Sequence, residues 1–92
     1  MIRHEWEVPL GLADAVFRRC LKIHIKPELY GSWFRGMKVE KYDGKNVVLS
    51  VPVKFVRDWI RRNYQEDVEF VCAVVFEKFE NVDVVWRQPG SG

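Results

Sequence analysis

The side chains of this chain that could do covalent or acid–base chemistry are few and scattered. They are two histidines, His4 and His24, and two cysteines, Cys20 and Cys72. A nucleophile needs a base within hydrogen-bond reach, and no spacing here brings such a pair together. No CxxC or Cys/His spacing answers to a zinc site, and no glycine-rich loop could cradle a phosphate. Asp58 could act as an acid–base group beside Trp59. On a helix it would instead face outward, one turn before Arg62, as one half of an i,i+4 ion pair. The chain reads as non-enzymatic, with no metal and no cofactor.

A second chemistry lies in the basic residues. Lys54, Arg57 and Arg61 have the spacing of one helical face, and Lys38, Lys41 and Lys45 decorate a hairpin. Such a row is first a solvated surface, and otherwise a contact for an acidic partner or single-stranded nucleic acid. Fifteen Lys and Arg against thirteen Asp and Glu leave a net charge of +2. That is mild for a dedicated duplex-DNA binder.

These side chains must be positioned by a single small domain, for the chain has 92 residues. It is 48% hydrophobic and 14% aromatic, and its four Trp and six Phe exceed a minimal core. Large aromatics fill cores or anchor interfaces, and both uses are expected here. The cysteines sit far apart inside apolar patterns, as buried free thiols of a reducing compartment do. No stretch resembles a signal peptide or a membrane span of about twenty apolar residues. A cytoplasmic protein is expected.

Residues 1–11 read as an extended arm with Trp6 as its anchor, residues 12–87 as the domain and residues 88–92 as a flexible tail. The first helix is expected from Leu12 to Ile25. Ala13, Val16, Phe17, Cys20, Leu21 and His24 lie on its apolar face, and Asp14 sits in its first turn. Pro27 ends that helix and opens a second over 27–34, whose inner face is Leu29, Tyr30 and Trp33 and which Gly31 weakens. Met37–Tyr42 alternates, with Met37, Val39 and Lys41 on one side. Asp43-Gly44 signals a type I′ hairpin turn, and Asn46–Val51 returns as the partner strand.

Pro52 stops that strand, and a third helix presents Phe55, Val56, Trp59, Ile60 and Tyr64. After a break near Tyr64–Glu66, Val68, Val71, Cys72, Val75, Phe76 and Phe79 keep a helical period. That period outweighs their β-branched character, and Asn81 ends the helix. Val82–Trp86 is a late strand. The order α-α-β-β-α-α-β predicts an α+β domain, a small three-stranded sheet packed by helices.

That order, with particular residues, resembles the N-terminal domain (domain I) of the bacterial replication initiator DnaA. The likeness is carried by Phe17-x-x-Cys20-Leu21, by Trp33, by Asp43-Gly44, and by Val51-Pro52-x-x-Phe55-Val56-x-Asp58-Trp59-Ile60-x-x-x-Tyr64. It spans about Val16 to Trp86. The resemblance implies a fold related to the K-homology type and a non-enzymatic interaction domain of replication initiation. It implies weak self-association through Val16, Phe17, Cys20 and Leu21, with Phe17 partly exposed. It also implies docking of the replicative helicase or an initiation regulator at Leu29 and Phe55. Leu29 stands where the family can carry a glutamate, and Val53 stands where it often has a polar residue able to cap the helix.

Two other readings stay open. One is a single-stranded nucleic-acid module using Lys54, Arg57 and Arg61. K-homology modules that clamp nucleic acid use a Gly-x-x-Gly loop, a spacing that Gly31 and Gly36 lack. The other is a stand-alone decoy that occupies the initiator's partner.

Overall fold

The computed structural model describes residues 9–87. The arm's first eight residues, with His4 and Trp6, and the tail 88–92 lie outside the described residues. The elements are α1 (Leu10–His24), α2 (Pro27–Leu29) running on into a π-helical turn (Tyr30–Phe34), β1 (Lys38–Tyr42), β2 (Asn46–Val51), α3 (Lys54–Asn63), α4 (Gln65–Val75) and β3 (Asn81–Trp86). The order is the expected one, α-α-β-β-α-α-β, in a small α+β domain.

Helix α1 starts two residues before Leu12, because the Pro9 carbonyl accepts the N–H groups of Leu12 and Ala13. Asp14 therefore lies beyond the first turn. It pairs with Arg18 at 3.1 Å and accepts the backbone N–H of Val39 at 2.8 Å. The carboxylate thus satisfies a donor on an edge strand, a group that would otherwise invite pairing with another chain.

The strand order is β1-β2-β3, with β1 antiparallel and β2–β3 parallel. Val39 pairs with Leu49, but the next pair is Lys41 with Val48, so Glu40 is the extra residue of a bulge. The bulge breaks the expected alternation. Lys41 leaves the face of Val39, and Tyr42 turns inward, its ring centroid 4.4 Å from that of Phe76.

Of the hairpin's loop residues, Gly44 alone has positive φ, at 101°, so the turn is not type I′. Asp43 holds it by another route. Its carboxylate accepts the backbone N–H groups of Asn46 at 2.8 Å and Lys45 at 3.1 Å. These donors, Asn46 foremost, hold the Asp43 carboxyl below its usual range.

Helix α4 ends at Val75 rather than running on toward Asn81, and a turn closed by Phe79 N–H to the Phe76 carbonyl at 3.1 Å follows. Asn81 instead opens β3. Val68, Val71 and Cys72 are buried as their period required. The core joins them to Phe17, Leu21, Ile25, Phe34, Met37, Ile60 and the inward residues of the sheet.

Ser50 is the buried polar side chain among the described residues. Its hydroxyl donates to Glu40 and accepts from Arg87 Nη1 at 2.7 Å. The same guanidinium donates to the Ser50 carbonyl at 3.0 Å and to the Gly36 carbonyl at 2.9 Å. A single side chain thereby ties the end of β3 to β2 and to the turn before β1.

A candidate protein-docking surface

Pro52 carries no N–H, so the ladder of β2 stops and the chain turns into α3. Val53 occupies the N-cap position and no side chain caps the helix there. Phe55 falls in the first turn of α3, before the helix is covered by the rest of the fold, and is 62% exposed. Trp59 follows one turn later. Trp33, from the π-helical turn, stacks on Trp59 with centroids 5.1 Å apart and planes 21° apart. Phe55 lies 6.0 Å from Trp33 and 6.1 Å from Trp59.

The two indoles are half-buried rather than interior, so together they form a floor under the phenyl ring. Leu29, one turn before Trp33, is half-buried against the core. Leu29 and Phe55 thus belong to elements that meet around Trp33. An exposed ring backed by stacked aromatics gives large apolar area at small entropic cost on binding, which is how interface anchors work.

The first-helix residues divide differently. Phe17 and Leu21 are fully buried, and the Phe17 ring stacks toward Phe76 at 6.4 Å. The expectation that Phe17 is partly exposed is therefore corrected. Helix α1 is covered by both the sheet and α4, so the middle of its apolar stripe becomes core and only the flank stays open. Val16, 42% exposed, and half-buried Cys20 lie on that flank.

Sequence reasoning missed the rest of this flank. Ile23 is 79% exposed, and across from it on α4 stand Phe70 and Val74. Cys20, Ile23, His24, Phe70, Val71 and Val74 line a groove of about 450 Å³. His24, which the sequence left without a partner, bonds to Asp67 through Nε2 at 3.0 Å and stacks on Phe70 at 4.7 Å. The signal was present in the α4 pattern, where Phe70 and Val74 fall off the core period by one position.

The basic row is largely matched within the chain. Arg57 Nε donates to Asp58 at 2.9 Å, and Arg61 pairs with Asp83 at 2.8 Å. The Lys54 ammonium sits 5.9 Å from the centre of the Trp86 ring. Asp58 is thus held by its neighbour rather than by Arg62. Among the described residues no group of three or more His, Cys, Asp and Glu could hold a metal ion, and no helix is long and apolar enough to cross a membrane.

Comparison with known proteins gives the lineage of this scaffold. The family model described as the DnaA N-terminal domain matches residues 15–73. A chromosomal replication initiator protein DnaA of Rhodopseudomonas palustris strain TIE-1 is 30% identical over 69 residues, covering 75% of this chain and 15% of that protein. The DnaA of Nitrobacter hamburgensis is 38% identical over 67 residues, 73% of this chain and 14% of its own length. That of Nitrobacter winogradskyi is 40% identical over 48 residues, 52% of this chain and 10% of its own. The chain spans about 15% of the length of the first of these relatives. The match runs from within α1 through most of α4, including every element that carries the aromatic patch, and this chain belongs to the DnaA N-terminal domain family.

Proposed function

We propose that this chain is a non-enzymatic interaction domain of chromosomal replication initiation, and that the Trp33–Phe55–Trp59 cluster is where the replicative helicase or an initiation regulator docks. Membership of the family supports a role in replication initiation. The observation that carries the docking site is Phe55, a large ring 62% exposed on a floor of two stacked indoles. Folding alone gives no reason to leave such a ring in water. A partner that covers it gains apolar burial on a base that is already ordered.

Calorimetric titration of the chain with the helicase, and separately with a regulator from the same organism, tests this. Phe55→Ala should weaken binding by about tenfold or more while the near-ultraviolet signal of the tryptophans is retained. Full affinity in that variant would remove the cluster from consideration.

Weak self-association is the second activity. Since Phe17 and Leu21 are interior, the surface available for it on the first helix is the flank of Val16 and Cys20, with the buried pair acting as their support. The basic row of Lys54, Arg57 and Arg61 does not favour a single-stranded DNA site, because two of its three charges already have carboxylate partners.

A further inference from the structure

The exposed apolar side chains of α1 fall into a line. Leu12, Val16, Cys20 and Ile23 follow one another at helical spacing and form a single stripe along the helix, on which Leu12, Val16 and Ile23 are exposed and Cys20 is half-buried. Cys20 and Ile23 share a groove with Phe70 and Val74 of α4, which widens the stripe toward the C-terminal end of α1. None of these residues belongs to the Trp33–Phe55–Trp59 patch. The stripe starts within one turn of Pro9, the residue from which the chain enters α1.

Eight residues precede Pro9, MIRHEWEV, and they lie outside the match to the family model, which begins at residue 15. As an extended segment they would alternate, with Ile2, His4, Trp6 and Val8 on one side and Arg3, Glu5 and Glu7 on the other. We infer that this arm is the occupant of the stripe, folding back along α1 with Trp6 over Val16 and Ile2 reaching Ile23 and Phe70. The reach fits. Trp6 stands three residues before Pro9 and can lie about 10 Å from it, and Val16 is about 10 Å from Pro9 along the helix axis. Ile2, seven residues before Pro9, can reach about 23 Å, and Ile23 is about 21 Å along the axis. An indole and an isoleucine laid on this stripe remove apolar surface from water on both sides of the contact, and the short tether keeps them at high effective concentration. Any partner that binds this flank of α1, a second copy included, must first displace the arm.

Nuclear Overhauser contacts in the whole chain at dilute concentration test this. The Trp6 indole should contact the Val16 methyl groups, and Ile2 the Phe70 ring. A sample mixing labelled and unlabelled chains separates an arm lying on its own helix from one that reaches a second copy. Cys20 gives an independent readout, because the arm would cover its thiol. Trp6→Ala should speed modification of Cys20 by a thiol reagent about fivefold or more, with the circular dichroism unchanged. Phe55→Ala should leave that rate as it was. An unaltered Cys20 rate in Trp6→Ala overturns the proposal. So does a stripe that no residue of 1–8 contacts, or one whose contacts arise only between chains, in which case the occupant is a second copy.

Discussion

Gly36 lies flat against the ring of Pro52: a β-carbon at position 36 would come within 2.8 Å of the proline Cδ and 2.9 Å of its Cγ. The two residues belong to the turns that deliver Trp33 and Phe55, so their contact sets the distance between the helical turn before β1 and the start of α3. The glycine reads in the sequence as a helix terminator. Its tighter constraint is close approach to a stiff ring.

Gly36→Ala should therefore lower stability by about 1–3 kcal/mol, as overpacking does when the neighbour cannot swing away. Urea denaturation followed by tryptophan fluorescence measures it. The same variant should disturb the Trp33–Trp59 stack, visible as a changed near-ultraviolet signal at low denaturant.

Phe17 and Phe55 should respond to truncation in opposite ways. Phe17→Ala empties a fully buried site and should cost about 3–5 kcal/mol, a large share of the stability of so small a domain. Phe55→Ala should change stability by no more than about 0.5 kcal/mol, since the ring is mostly in water. Loss of self-association in Phe17→Ala would then report unfolding, and denaturation midpoints separate the two causes.

Removing the guanidinium in Arg87→Ala should cost about 1–3 kcal/mol, because the Ser50 hydroxyl and the Gly36 carbonyl lose a charged donor. Arg87→Lys should recover little, since a single ammonium cannot span the Ser50 and Gly36 acceptors as the planar fork does. Hydrogen exchange should show faster opening at the end of β3 in both variants.

Burial, with Glu69 adding to it, pushes the Cys72 thiol from its ordinary 9.0 up to about 12. In the unfolded chain it ionises near the ordinary value, so between that pH and 12 the native state holds the proton and the unfolded state does not. The contribution is complete below about pH 9 and declines as the pH rises toward 12. Denaturation midpoints should fall across that window, less steeply in Cys72→Ala. A thiol reagent at pH 8 should modify half-buried Cys20 well before Cys72.

The sequence by itself determined the element order, the Pro52 corner and the helical nature of 65–75, because each follows from local periodicity or from a residue that cannot do otherwise. A β-branched helix such as α4 is legible because Val68, Val71 and Cys72 recur at helical spacing and the fold buries all three. Phe55 stood out through the family resemblance, whereas Trp33 reads in the sequence as part of an inner face and the fold leaves it half-buried. Which flank of α1 faces water was not legible. That depends on where α4 and the sheet come to rest, and they took Phe17 and left Ile23. The Glu40 bulge, the reach of Asp14 to the β1 edge and the Arg87 clamp were equally hidden. Each joins residues far apart along the chain, and a linear pattern carries no record of which distant groups satisfy one another's hydrogen bonds.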